Sequence, residues 1–346
     1  MKRIIYLLGI AAALLLGAAS ACDKEGKNPG GGNTPPSDGR LTPATVSLLE
    51  FFDNKIEEYG KDSSTPLSRI YICGHRANTY ASSVGKIPEN SIPNIEMAIE
   101  KGLDMIEIDV RVTSDGVPML MHDDALSNTT TGSGNLSSKT YDQVRALNMK
   151  HRSAKKDEPY SYKGQYVKVP TLVEALQACK GKIYVNLDVK SCPVPTLMGA
   201  IRDAGMIDQV MIYGLNDADR KECITWAAEN LSSLVAIHPY ISKPADINSY
   251  AKGYFGCAKL FQYSYEIYYN NSIAGFGYQC HAQGGLSYSN SLNYDSQILN
   301  WYNNYYLKGV DGSCQVLDKF IASGSDFIQT DYFELAELYL KSKGLR

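Results

Sequence analysis

From Thr45 onward the chain alternates short β-like runs with stretches of helical periodicity, and this restricts the fold more than any other feature. Strand-like runs are Arg69–Gly74, Met105–Val112, Val117–His122, Ile183–Val189, Gln209–Tyr213, Leu234–Ile237 and Phe327–Thr330, and Lys259–Tyr263 and Tyr278–His281 also qualify. Helical patterns at Ser91–Lys101, Lys139–Leu147, Leu172–Cys179 and Thr196–Ala204 lie between them. Such alternation predicts an α/β fold with a parallel sheet covered by helices, and about eight units predict a TIM (β/α)8 barrel. Nine candidate strands for eight positions mean that one is misassigned or lies outside the barrel. A doubly wound sheet is the alternative, but no glycine-rich dinucleotide turn supports it.

The first residues stand apart from this pattern. Lys2 and Arg3 precede an apolar run, Ile4–Ala18, then Ala19-Ser20-Ala21 and Cys22. The run is too short to anchor as a transmembrane helix and predicts a signal peptide over residues 1–21. A cysteine in that place resembles a bacterial lipobox, which implies a lipid on Cys22 and anchoring in the cell envelope, periplasmic or at the outer-membrane surface. Residues 22–43 carry Pro and Gly clusters and predict a flexible linker, leaving 44–346 as the folded domain. A net charge of −3 removes the basic footprint of a nucleic-acid binder. Seven further cysteines form no metal-binding spacing; they read as small buried hydrophobes with one or two bridges.

Two strands carry the sharpest chemical signal. In Ile106-Glu107-Ile108-Asp109-Val110 both acids point to one face, and in Val185-Asn186-Leu187-Asp188-Val189-Lys190 the polar residues again share a face. A parallel strand covered on both sides should read as continuously apolar, so these charges must be paired or metal-bound. Glu107, Asp109 and Asp188 on inward faces would form an oxygen cage for one hard divalent cation, Ca2+ or Mg2+. An internal ion-pair set, such as Glu107 with Lys190, is the other reading.

Five histidines occur in the chain. His75 and His122 each end a predicted strand, where βα loops assemble active sites, whereas His151 and His238 read as structural. Together with Arg76 they supply an acid, a base and an anion clamp beside the carboxylate-bearing strands.

Several motifs then follow in order: Gly74-His75-Arg76, Pro88-Glu89-Asn90-Ser91, Glu107-Ile108-Asp109-Val110, Thr113-Ser114-Asp115-Gly116, His122-Asp123, Thr129-Thr130-Thr131-Gly132, Val169-Pro170-Thr171-Leu172, Asn186-Leu187-Asp188-Val189-Lys190 and Gln329-Thr330-Asp331. The series resembles the glycerophosphodiester phosphodiesterase family, closely over residues 70–190 and loosely at the last strand. The resemblance implies a TIM barrel with a small insertion, and a metal-dependent hydrolase releasing glycerol 3-phosphate and an alcohol. It makes His75 and His122 the acid/base pair, and Glu107, Asp109 and Asp188 the metal ligands. Arg76 and Lys190 would clamp the phosphate while Glu89 orients its neighbours. The implied route has the glycerol 2-hydroxyl attack phosphorus, giving a cyclic phosphate that water opens.

The chain departs from that family pattern in places. Ala77 stands where the family has glycine, Asp188 where it has glutamate, and no Trp-Thr pair marks the penultimate strand, near which Cys280-His281-Ala282 stands. Residues 254–306 hold 11 of the 25 tyrosines, so the predicted long loop Ser264–Asn293 reads as a surface loop packed on its own aromatics, or as a head-group platform. A non-catalytic ligand-binding lipoprotein and a lysophospholipase D-like enzyme are the alternative functions. The intact set of charges and histidines argues against the first; the lack of an apolar membrane-facing loop argues against the second.

Overall fold

A computed structural model describes residues 46–59, 69–241, 244–263 and 275–346. The predicted signal, Cys22 and the whole of the linker fall outside these residues. Among the described residues no helix is long and apolar enough to cross a membrane.

The strands are β1 (Tyr71–Gly74), β2 (Met105–Val112), β3 (Pro118–Leu120), β4 (Ser161–Tyr162), β5 (Gln165–Tyr166), β6 (Tyr184–Ser191), β7 (Val210–Tyr213), β8 (Ala236–Ile237), β9 (Tyr240–Ile241), β10 (Leu260–Tyr263), β11 (Leu286–Asn290) and β12 (Phe327–Thr330). The main sheet runs β8-β7-β6-β2-β1-β12-β11-β10-β9, every pair on this path parallel. It closes on itself, because Ile237 bridges Ala258 and its N–H donates to the Cys257 carbonyl at 2.9 Å. β8 and β9 are therefore one barrel position, interrupted at Pro239, which has no N–H to give to the ladder. The result is the predicted eight-position TIM barrel.

Of the nine predicted strands one is a helix and one lies outside the barrel, and one barrel strand was missed. The run 117–122 shortens to β3, which lies antiparallel to β2 and off the barrel path. The run 278–281 lies within the helix Phe276–Ala282. The eighth position belongs instead to β11, inside the stretch predicted as loop; its polar Leu-Ser-Tyr-Ser-Asn reading hides a strand buried between neighbours on both sides. Residues 264–274 of that stretch lie outside the described residues. The predicted helices are found at Ile92–Lys101, Tyr141–Ala146, Leu172–Cys179 and Val194–Ala204. Several are set by local capping: Thr171 accepts from the Glu174 N–H while the Glu174 carboxylate accepts from Thr171 N–H.

Inward-facing residues at the base of the barrel are apolar: Tyr71, Met105, Tyr184, Leu260, Leu286 and Phe327. The helix Leu48–Tyr59, which the sequence reading did not single out, plugs that end with Leu48, Phe51, Phe52 and Tyr59. Between β3 and Thr171 an insertion forms its own small core around Met119, Met121, Leu126, Leu136, Val144, Met149, Val167 and Val169. The seven cysteines are all free, six of them buried, so the predicted bridges do not form; they serve as apolar filler.

Candidate active site

The site lies at the C-terminal end of the barrel, opposite the plug. The parallel register of β2 and β6 sets Glu107 against Asn186 and Asp109 against Asp188. Ligand oxygens of Glu107, Asp109 and Asp188 all lie within 4.8 Å of one another, with Glu107 and Asp109 buried. Burial, and after it the charges of Asp109 and Asp188, hold the Glu107 carboxyl well above the usual range. Glu107 Oε1 and Asp109 Oδ1 are buried without a hydrogen-bond partner. Three carboxylates this close, with Glu107 Oε1 unpartnered and Asp109 Oδ1 facing only the Lys190 ammonium, supply the oxygens a hard cation requires, so the residues fit a divalent metal.

The competing ion-pair reading is partly present as well. Lys190 Nζ lies 2.6 Å from Asp188 Oδ2 and 3.3 Å from Asp109 Oδ1, while Glu107 takes the Arg76 backbone N–H at 2.8 Å. Two glycines permit this crowding. A Cβ on Gly214, at φ +81°, would stand 2.5 Å from Asp188 Oδ1. One on Gly74 would stand 2.5 Å from Leu103 Cδ2 and 2.8 Å from the Asn78 carbonyl.

His75 follows β1 directly, and its Nδ1 lies 2.9 Å from Asp331 Oδ1 just past β12. A carboxylate can only accept, so Nδ1 carries the proton and Nε2 is left for chemistry. Asn78 also donates to Asp331 at 2.9 Å, and the Asp331 N–H donates to buried Asp295 at 2.7 Å. Burial and the nearby Asp331 charge push Asp295 up to about 6. Burial works against ionised Asp331, yet the hydrogen bonds from His75 and Asn78 hold it below the ordinary aspartate value.

His122 reaches the same end differently from the sequence prediction, because it ends no barrel strand. It follows β3 in the insertion, which β2 ties down: the Met121 N–H donates to the Asp109 carbonyl at 3.1 Å, and Arg111 Nε to the His122 carbonyl at 2.8 Å. His122 Nδ1 lies 2.8 Å from Asp123 Oδ1, so the second imidazole is pinned by a carboxylate like the first.

Arg76 sits at φ 52° and Ala77 at φ 62°, both left-handed. That explains the glycine expected at position 77. A strain of about 1–2 kcal/mol for alanine is offset by one buried methyl, worth about 0.8 kcal/mol, and by a stiffer unfolded chain. The Arg76 guanidinium donates to Glu89 at 2.9 Å and lies 3.6 Å from Asp109. Asn90 exchanges two hydrogen bonds with Asp109, side chain to side chain at 2.7 Å and backbone to side chain at 3.0 Å.

All eight predicted site residues thus gather at one end. Sequence reasoning gave no role to Asp123, Asp331, Asn78, Asn90, Asp295 or Arg152. Asp123, Asp331 and Asn90 were visible inside quoted motifs, directly after a histidine, directly after a strand and directly after Glu89. His281 lies elsewhere: its Nε2 meets Asp326 at 3.0 Å and its ring stacks on Tyr59 of the plug, at the base. Cys280-His281-Ala282 therefore does not occupy the penultimate-strand position, which is β11. His238 is buried in the barrel between Tyr213 and Tyr288, and burial lowers its pKa to about 3, in keeping with a neutral structural histidine. Trp301 is no open platform; it is buried against Tyr339 and donates to the Gly312 carbonyl.

The model of the Glycerophosphoryl diester phosphodiesterase family matches residues 75–240. Glycerophosphodiester phosphodiesterase 1 of Mus musculus is 36% identical over 130 residues, covering 36% of this chain and 35% of that protein. A glycerophosphodiester phosphodiesterase of Caldanaerobacter subterraneus is 30% identical over 137 residues, covering 38% of this chain and 54% of that one. The chain thus spans about a third of the length of the mammalian relatives it matches. Among solved structures, a glycerophosphoryl diester phosphodiesterase from Parabacteroides distasonis superposes with a TM-score of 0.61 at 19% identity, over 84% of this chain and 92% of that one. A phosphodiesterase from Oleispira antarctica, in complex with the product sn-glycerol-3-phosphate, gives 0.55 at 20% identity, over 78% and 96%. These two establish the shared fold. Over residues 75–240, just under half of its length, the chain is similar to the glycerophosphoryl diester phosphodiesterase family.

Proposed function

We propose that the protein is a metal-dependent phosphodiester hydrolase that cleaves glycerophosphodiesters into glycerol 3-phosphate and an alcohol. The observation that carries this is the pair of imidazoles, His75 and His122, each with Nδ1 held by an aspartate beside one cluster of three carboxylates. With Nδ1 protonated, one Nε2 can accept the proton of the glycerol 2-hydroxyl as its oxygen attacks phosphorus, and the other imidazole can protonate the departing alkoxide. Reversing the two proton transfers opens the cyclic phosphate with water. Arg76 and Lys190 supply the cationic clamp, the guanidinium suiting two non-bridging oxygens. Glu107, Asp109 and Asp188 would hold the cation, which when bound neutralises phosphate charge and lowers the pKa of a nearby hydroxyl. The product named for the Oleispira enzyme supports the same substrate class.

The purified protein, incubated with a panel of glycerophosphodiesters with and without EDTA, tests this by release of alcohol. Turnover that EDTA abolishes is expected; no turnover of any member overturns the reading.

We further infer that Ca2+ is preferred over Mg2+. Asp188 is one methylene shorter than glutamate, while β2 fixes Glu107 and Asp109, so the ion must shift or accept a water. Ca2+ tolerates irregular shells of 6–8 oxygens, whereas Mg2+ demands near-octahedral geometry. Asp188→Glu is expected to reduce the Ca2+/Mg2+ activity ratio several-fold. An unchanged ratio in a wild type that prefers Mg2+ rules out side-chain length as the cause.

For location, we propose a lipid on Cys22 anchoring the domain in the bacterial cell envelope. The helix Leu48–Tyr59 covers the barrel end opposite the site, so a tether ahead of it would leave the mouth clear for soluble substrate. Labelling with a fatty-acid analogue, lost in Cys22→Ser, checks the anchor.

A further inference from the structure

We propose that Arg152 is a positioning residue, a clasp that holds the His122–Asp123 pair and the Arg76–Glu89 pair in one arrangement; this rests on the functional reading above. Arg152 lies in an irregular segment of the insertion and touches both halves of the site. Its Nε and Nη2 donate to Glu89 Oε2 and Oε1 at 3.1 and 2.7 Å, and its Nη1 donates to Asp123 Oδ2 at 2.6 Å. Glu89 Oε1 is the same oxygen that accepts from Arg76. Asp123 is the same carboxylate that pins His122 Nδ1. One planar fork thus joins the barrel loop that carries the anion clamp to the insertion that carries the second imidazole.

The turn presenting Arg152 is itself built. Lys150 is buried, 4% exposed, and donates from Nζ to the carbonyls of Asn128 and Ala154 at 3.0 and 3.1 Å. Burying an ammonium is costly, and here main-chain oxygens alone answer it. The Lys150 N–H reaches the Thr129 carbonyl, and the Ala154 N–H the His151 carbonyl, both at 2.9 Å. Asn128, whose carbonyl receives Lys150, donates its side chain to Asp123 at 2.7 Å. Anchor and clasp therefore converge on the same carboxylate.

Stability alone does not account for this arrangement. An isolated ion pair as open as Arg152, whose side chain is 39% exposed, contributes about 0–1 kcal/mol. Geometry is what it adds: a bidentate grip on one acid and a third bond to another, which a lysine's point charge cannot reproduce. Three of its five N–H donors are committed to carboxylates, so its main service is to hold those acids. Its loss should appear in turnover and leave substrate affinity alone.

The test compares wild type, Arg152→Ala and Arg152→Lys for kcat, KM and melting temperature. It also follows the downfield Nδ1 proton resonance of His122, assigned by its absence in His122→Ala. The expected results for Arg152→Ala are a kcat lower by about 10–100-fold, since displacements near 1 Å cost that much, and KM within twofold. Melting should change little, and the Nδ1 resonance should broaden or move upfield. Arg152→Lys should recover only a small part of kcat, whereas millimolar guanidinium ion should partly rescue Arg152→Ala. Raised KM with unchanged kcat would make Arg152 a substrate contact and overturn the proposal. An unchanged Nδ1 resonance overturns it whatever the activity. If the wild type turns over no diester, the functional reading fails on its own, and the resonance still decides the clasp.

Discussion

His75→Ala and His122→Ala are each expected to lower kcat by about 10²–10⁴-fold, the range that positioned general acids and bases supply, with the fold intact. Neither side chain is a packing element. His75 and His122 are both part-exposed, and the barrel core lies below them. The aspartates sharpen the expectation. Asp331→Asn keeps size and position, but its amide can donate to Nδ1 and so favours the tautomer with the proton on Nε2. That tautomer cannot accept a proton from the attacking hydroxyl, so a loss comparable to His75→Ala follows although the imidazole remains. Asp123→Asn should act on His122 in whichever of the two steps that imidazole takes the proton, from the glycerol hydroxyl or from water. Steady-state turnover with circular dichroism as a folding check measures all four. Full turnover by a correctly folded His122→Ala removes that residue from the chemistry, and an Asp331→Asn enzyme at wild-type rate removes the tautomer argument.

β2 was legible over its full length because Glu107 and Asp109 alternate with Ile106, Ile108 and Val110, and only an inward polar face explains that in a parallel strand. Leu172–Cys179 was legible because Thr171 and Glu174 form a capping box that starts the helix locally. β11 was not legible, since Ser287 and Ser289 satisfy partners supplied from elsewhere: Ser287 bonds Asp326, and Ser289 bonds Ser325. The helix at 278–281 resembled a strand because four residues cannot distinguish the two periods. His122 was singled out as ending a barrel strand, whereas it is carried to the site by an antiparallel excursion from β2. Asp331 reaches His75 across 256 positions and Arg152 reaches Glu89 across 63, distances over which sequence spacing carries no geometric signal.

Glu107→Gln is expected to raise the melting temperature of the metal-free protein while abolishing the rise that a divalent cation produces in wild type. Three carboxylates converge within 4.8 Å, with two of them buried, and Lys190 and Arg76 are the cations beside them. Without a metal, ionised Glu107 is opposed first by burial and then by Asp109 and Asp188, which makes it a standing cost to the fold. Glutamine removes that charge at nearly constant volume. Its oxygen can still accept the Arg76 N–H, and its amide can donate toward the acids that Glu107 repelled. With a metal the sign reverses. A cation at 100 times its dissociation constant stabilises wild type by about 2.7 kcal/mol through mass action, worth several degrees in a domain of this size. Glutamine supplies a neutral oxygen in place of a charged one, so the same cation should shift the variant by a small fraction of that amount. Thermal scans of both proteins in EDTA, Ca2+ and Mg2+ separate the two effects. If wild type melts at one temperature in all three buffers and Glu107→Gln melts lower, the three acids are a structural network held by Lys190 and Arg76, and the metal assignment fails.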